Sequence, residues 1–292
     1  MTDATADTSP PRRQKNPVLD ALYRNKFSWI GIGLIVTIVL LAIFAPLVAP
    51  YDPLQQSILS RLQPPSVDHW FGTDSYGRDV LSRLLYGARI SLAIGFLSVL
   101  AAMIVGSTLG ILAGYIGGVF DQLVMGLVDV MLSFPTLLLG LMVAAMLGAS
   151  FENLIIAIAI TETAPFARVA RAPTIAVKRR EYIEAGRSLG FTPFRIMGVH
   201  ILPNILSDIV VVGSLWMASA IRTEAALAFI GLGVRPPTPT WGGMIREGFD
   251  NILNGWWLIV FPSLSILFTV LALNILGDAL RDAIDPKTRS EG

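Results

Sequence analysis

Long apolar runs alternate along this chain with clusters of charges or with stretches rich in Pro and Gly. A helix rising 1.5 Å per residue needs about 20 mostly apolar residues to cross the hydrocarbon of a bilayer. Six segments meet or approach that length: Ser28–Ala49, Ile90–Tyr115, Leu123–Leu147, Leu154–Ala167, Ile205–Ile230 and Trp257–Leu276. The fourth is the weakest, being short and carrying Glu162 and Pro165. The pattern predicts an all-α polytopic membrane protein with six transmembrane helices.

Composition agrees. The 292 residues are 53% hydrophobic and 15% charged, where a soluble domain is about a quarter charged. The absence of cysteine excludes disulfide and thiol chemistry. The first apolar run is too long for a signal-peptide core and reads as an uncleaved span. The first fifteen or so residues, rich in Thr, Asp, Ser and Pro, read as a disordered tail.

Charge then sets orientation. With the N-terminus inside, 15 of the 22 Lys and Arg fall on the cytoplasmic side, seven of them between Arg168 and Arg195. Arg61, Arg78, Arg83, Arg89, Arg235 and Arg246 fall outside, and Arg222 lies within a span. The chain thus divides into a cytoplasmic tail (1–27), a first span with an outer loop (28–89), a core (90–280) containing a cytoplasmic loop (168–204), and a cytoplasmic C-terminal tail (281–292). In the outer loop Val80, Leu81, Leu84, Leu85 and Ala88 share a helical face. Two readings stand: an amphipathic helix at the outer interface, or the wet end of the second span. Gly106, Gly110, Gly114 and Gly118, spaced by four, form a groove for close backbone approach, within the chain or from another subunit.

The cytoplasmic loop has structure of its own. Ile183, Gly186 and Leu189 are three apart in a predicted helix Glu181–Leu189, and Gly190 suits its left-handed stop. Thr192 is a natural N-cap and Pro193 fits the first position of a second helix, with Phe194, Met197 and Ile201 on one face. A helix, a tight corner and a helix make a short rigid peg.

Glu184-Ala185-Gly186, then Gly190, then His200-Ile201-Leu202-Pro203 resembles the EAA loop of ABC importer permeases. The sequence departs from that pattern at Gly186, where Ala is usual, and at His200, where Ile is usual; Gly186 is expected to loosen the helix by about 1 kcal/mol. Phe71-Gly72-Thr73-Asp74-Ser75-Tyr76-Gly77-Arg78-Asp79, Ala113–Gly118, Phe229–Val234 with Pro236–Pro239, and Asn274–Asp282 are similar, in the same order, to the C-type subunit of dipeptide, oligopeptide and nickel permeases. The resemblance covers nearly the whole chain. It implies a type I ABC importer permease fold, a first peripheral helix followed by a five-helix core, in a bacterial inner membrane. It implies a heterodimer with a second homologous permease, two cytoplasmic ATPase subunits using ATP and Mg, and a separate substrate-binding protein. The EAA resemblance assigns ATPase coupling to Glu181, Glu184, Ala185, Gly186, Gly190, His200, Leu202 and Pro203.

The chain carries no Gly-x4-Gly-Lys-Ser/Thr phosphate loop, so ATP must be bound elsewhere. Asp129, Glu162, Arg222 and Glu224 lie in or near spans, where a charge costs roughly 2.5–3.5 kcal/mol on insertion scales. They read either as lining for a pathway or as structural groups, Arg222 being the least usual for the family. His69 and His200 are too far apart in sequence to suggest a metal site, and no nucleophile–base spacing suggests an enzyme. The alternative function is a stand-alone secondary transporter or channel. Dipeptides, oligopeptides, nickel chelates, glutathione and opines all remain open as substrates.

Overall fold

The structure, a computed structural model, describes residues 26–284. The N-terminal stretch expected to be disordered lies outside the described residues, with Arg12, Arg13, Lys15 and Arg24; so do Lys287 and Arg289. Every regular element among the described residues is helical. In chain order these are α1 (Lys26–Ile43), the short α2 (Ala45–Val48), a 3₁₀ turn (Ile58–Ser60), α3 (Val80–Ile116), α4 (Gly118–Ser133), α5 (Thr136–Leu147), α6 (Phe151–Lys178), α7 (Glu181–Ser188), α8 (Pro193–Ile230), α9 (Trp241–Phe249) and α10 (Trp257–Ile284).

Helices α3, α6, α8 and α10 are each long and apolar enough to cross a membrane, and the apolar part of α1, Ser28–Ile43, is shorter. The third expected span is not one straight helix. It is α4 and α5, bent by 96° between Ser133 and Thr136. Pro135 lacks the N–H to continue α4 and forces the residue before it out of helical space; Phe134 and Pro135 are accordingly extended. The weak fourth segment is a 28-residue helix, started by Ser150, whose side chain accepts from the Asn153 N–H. It runs through Arg168 to Lys178, so the cytoplasmic loop is shorter than its charges suggested. Val80–Ala88 is the first stretch of α3, begun by the Asp79 carboxylate accepting from the Ser82 N–H at 2.8 Å. The wet-end reading therefore holds, and there is no separate interfacial helix at that place.

The closest helix pair is α3 on α6. In hydrocarbon there is no hydrophobic drive between helices, and small residues that let backbones touch supply the contact instead. A Cβ built on Gly106 would stand 2.4 Å from the Thr163 carbonyl oxygen, and one on Gly110 would stand 2.2 Å from that of Ala167. At Gly114 the Arg171 carbonyl oxygen is 3.0 Å away. Three of the four spaced glycines are thus a notch for the α6 backbone, within the chain. Gly118 is not part of it: nothing lies within 4 Å of its position.

At the other end of α3, the loop before it is tied to α9 by buried charges. Arg78 Nε meets Asp74 Oδ2 at 2.6 Å, while Arg78 Nη2 and Arg83 Nη2 meet Glu247 Oε2 at 2.8 and 2.9 Å. Both arginine side chains are buried, at 3% and 1% exposure, so these cations hold structure as well as topology. Asp79 also takes His69 Nδ1 at 3.0 Å, and the indoles of Trp241 and Trp257 donate to the carbonyls of Leu84 and Thr73.

Gly110→Val should disrupt the notch. Overpacking costs about 1–3 kcal/mol or more, so the expected result is a lower apparent unfolding midpoint in detergent and less folded protein in the membrane. Gly126→Ala, at a position with nothing within 4 Å, should leave both unchanged.

Candidate functional site

The segment between α6 and α8 forms the predicted peg. Arg180 precedes α7, and Glu181 and Glu184 occupy its first turn, where carboxylates suit the helix dipole. The helix stops by two reversed hydrogen bonds, Phe191 N–H to Gly186 O at 3.0 Å and Gly190 N–H to Arg187 O at 2.9 Å. This is the Schellman arrangement, and it places Gly190 at φ +80°, where a glycine carries no Cβ penalty. Thr192 then caps α8, its side chain accepting from the Arg195 N–H, with Pro193 next. Ile196–Ile201 is π-helical and leads without a break into Leu202–Ile230. The second limb of the peg is therefore the same helix as the fifth span.

The reversal folds Phe191 back across the peg. Its ring lies over Gly186, where an added Cβ would be 2.9 Å from Cδ2, and stacks on His200 with centroids 5.7 Å apart and planes 3° apart. Arg195 lies over the same ring at 4.3 Å. The two departures from the importer pattern, Gly186 and His200, thus both pack against one aromatic ring. This gives His200 a packing role. Two cations moor the peg: Lys178 and Arg187 lie 5.5 and 5.6 Å over the Tyr115 ring near the end of α3, and Lys178 also donates to the Tyr115 carbonyl.

Ile183, Gly186 and Ile201 are buried as the spacing predicted. Leu189 and Phe194 are not. They stand 77% and 82% exposed at the corner, with Tyr182 44% exposed beside α7. An eight-residue helix and the first turn of another are too little for a three-residue period to fix which apolar side chain faces inward. The usable signal was position: both residues flank the Gly190–Pro193 corner, where a tip must be. Glu181, Glu184, Ala185, Leu202 and Pro203 are also exposed. The peg presents a carboxylate-bearing limb and two large apolar knobs, a surface suited to a groove on another protein.

The four intramembrane charges separate into two kinds. Glu162 and Glu224 are fully buried inside the chain, so neither lines its surface. Glu162 faces Ser219 and Arg222, and Glu224 faces the hydroxyls of Ser91 and Thr240, though no hydrogen bond closes on any of the four carboxylate oxygens. Asp129 and Arg222 are exposed. Asp129 pairs with Arg168, and about one turn further along α6 Arg171 meets Asp121 in a two-pronged pair, both contacts 2.6 Å. Sequence reasoning counted Arg168 and Arg171 as loop charges; they bind α6 to α4. Arg222 has no ion pair within 4 Å among the described residues.

A family model described as the binding-protein-dependent transport system inner membrane component matches residues 106–290. A second, the N-terminal TM domain of oligopeptide transport permease C, matches residues 18–65. The chain is 44% identical over 269 residues to the dipeptide transport system permease protein of Alkalihalophilus pseudofirmus, covering 92% of this chain and 88% of that one. It is 44% identical to the glutathione transport system permease protein of Pectobacterium atrosepticum (89% and 87% covered) and 44% identical to the di/tripeptide transport system permease protein of Pseudomonas aeruginosa (91% and 90% covered). The fold is similar to that of a chain of the MetNI methionine ABC transporter in an inward-facing conformation, with TM-score 0.56 and 18% identity, covering 70% of this chain and 98% of that one.

The Phe191 stack decides what an alanine would do at Gly186. Its better helix propensity gains about 1 kcal/mol, while overpacking costs about 1–3 kcal/mol. Gly186→Ala should therefore loosen the peg. Hydrogen–deuterium exchange of residues 183–201 should rise several-fold, as it should in Phe191→Ala, while exchange in α3 and α10 stays unchanged. Slower exchange in Gly186→Ala would mean that propensity outweighs the ring contact.

Proposed function

The chain belongs to the family of binding-protein-dependent transport system inner membrane components, and on that premise we propose that it forms half of a translocation pathway for peptides or peptide-like solutes. The observation that carries the mechanism is the peg. It is braced at its base, exposed at its tip, and continuous with a span through α8. The chain has no phosphate loop of its own, so two separate ATPase subunits bind and hydrolyse ATP with Mg, and the peg is where their movement enters. A second, homologous permease supplies the other half, and a substrate-binding protein docks on the opposite face. The positive-inside distribution supports a bacterial inner-membrane location with both termini and the peg in the cytoplasm.

In this reading Glu184 accepts a hydrogen bond or cation from the ATPase groove, and Leu189 and Phe194 fill it. ATP-driven closure of the ATPase pair draws two pegs together and tips the spans from one opening to the other, a rigid-body change between discrete packings. Arg222, exposed within α8 with the buried Glu162 behind it, lines the pathway and meets the carboxylate of a peptide. Asp129 lies on the same pathway, its charge balanced by Arg168.

Two outcomes test these roles. Glu184→Ala and the double change Leu189→Ser with Phe194→Ser should each lower uptake about tenfold or more, and substrate should no longer stimulate ATP hydrolysis by the assembled complex. The amount of chain in the membrane should be unchanged, and normal coupling would remove the docking role. Separately, Arg222→Met should weaken uptake of a peptide by about tenfold, the worth of one charge-assisted contact, without loss of assembly. Normal uptake would assign Arg222 to packing.

A further inference from the structure

Arg89 stands where two unassigned hollows meet. One is a groove of about 420 Å³ between α1 and α3, walled by Val39, Ala42, Leu92, Ala93, Phe96 and Met217. The other is a pocket of about 560 Å³ whose walls include Asp52, Tyr86 and Thr238. Each volume is in the range of small-molecule sites, about 300–1,000 Å³. Arg89 lines both.

Depth identifies the setting. The apolar stretch of α1 ends at Ile43, and the apolar run of α3 begins at Ile90. Arg89 is therefore at the level where hydrocarbon gives way to headgroups, at the end of the molecule away from the peg. The groove runs from it into the hydrocarbon; the pocket continues on the polar side. Arg89 is exposed; its Cζ lies 5.9 Å from the centre of the Tyr86 ring, and among the described residues no carboxylate comes within 4 Å of its guanidinium. A cation with no acid in direct contact at this depth leaves room for an anionic partner.

We propose that this composite hollow binds one phospholipid of the surrounding leaflet, with an acyl chain in the α1–α3 groove and its phosphate on Arg89. The charge pattern selects the occupant. A partner helix would fill the apolar groove and leave the guanidinium unmatched, whereas a phospholipid supplies one chain and one phosphate at the correct spacing along the bilayer normal. Asp52 adds a second selection. One of its oxygens accepts from the Leu54 N–H at 2.8 Å, and its charge in the same pocket as Arg89 favours a headgroup with an amine beyond the phosphate. Phosphatidylethanolamine has that order of charges; phosphatidylglycerol does not. The bound lipid would wedge the peripheral α1 against α3 and close the side of the core.

The test uses the assembled transporter in nanodiscs containing phosphatidylethanolamine with a photoactivatable diazirine in the acyl chain. Wild type should be labelled on α1 and α3 beside the groove. Arg89→Gln, which removes the charge, and Ala93→Trp, which fills the groove, should each reduce that labelling about tenfold. Labelling of the lipid-facing side of α10 should stay constant and shows that the variants are folded. The matching diazirine diacylglycerol, lacking phosphate, should label the groove about as weakly as the Arg89→Gln arm. Equal labelling of wild type and both variants, or equal labelling by the diacylglycerol, would overturn the proposal. So would an absence of groove labelling with an Ala93→Cys crosslink to the second permease subunit, which would make the groove a protein interface; the chain has no other cysteine to confuse that result.

Discussion

The contact between the α3 glycines and the α6 carbonyls fixes more of this molecule than any other. Helices in lipid gain little from burying apolar surface against each other, so a bundle needs places where backbones touch. Here the carbonyls of Thr163 and Ala167 occupy space that any side chain on Gly106 or Gly110 would fill. That contact sets the angle of α6, which in turn presents Arg168 and Arg171 to the acids of α4 and carries Lys178 to Tyr115. The base of the peg is thus positioned by a packing choice some fifteen residues earlier. A looser α3–α6 contact would move the peg as well as the span.

The opposite end is held by a different force. Arg78, Arg83, Asp74 and Glu247 make a buried network joining the loop before α3 to α9. Burying such charges costs several kcal/mol each, and attraction recovers this only when the geometry is good and the group is fully paired. Glu247 is shared by two arginines, so its loss would leave two buried cations short of charge. A network of this kind specifies a single docking of loop on helix, where an apolar contact would tolerate sliding. The molecule therefore has one end fixed by backbone proximity and the other by charge, with the spans between them.

The sequence made the spans legible because length and hydropathy are properties of each segment alone. It made the corner legible for the same reason: Gly190, Thr192 and Pro193 each perform a local task that the residue type dictates. What it hid were facts that depend on a second segment. Leu123–Leu147 read as one apolar span, because hydropathy does not register the 96° bend at Phe134–Pro135. Leu189 and Phe194 look like core residues by composition and point outward, where the proposed docking would cover them. Arg168 and Arg171 look like topology charges until Asp129 and Asp121 are beside them. Gly186 looked like a weakness in the helix; the Schellman turn brings Phe191 back onto it, and the missing methyl becomes room for a ring that also holds His200.

That ring bears on how force would pass through the protein. The two limbs of the peg differ. The first, α7, is a separate helix, joined to α8 at the corner and through the Phe191 stack. The second is α8 itself, which runs from Pro193 to Ile230 and carries Arg222 about 40 Å from the corner at 1.5 Å per residue. The π-helical stretch Ile196–Ile201 lies between the tip and the membrane part. Wider helical turns of this kind are rare and occur often at functional sites, and a helix that must turn without breaking can change angle there at low cost. In the proposed role, a displacement of Phe194 by an ATPase would reach α8 directly, and α6 only by way of α7, whose Arg187 is moored to Tyr115. One helix would move while the notch holds the other. The relative rotation of α8 against the fixed α3–α6 pair would then be what opens and closes the space beside Arg222.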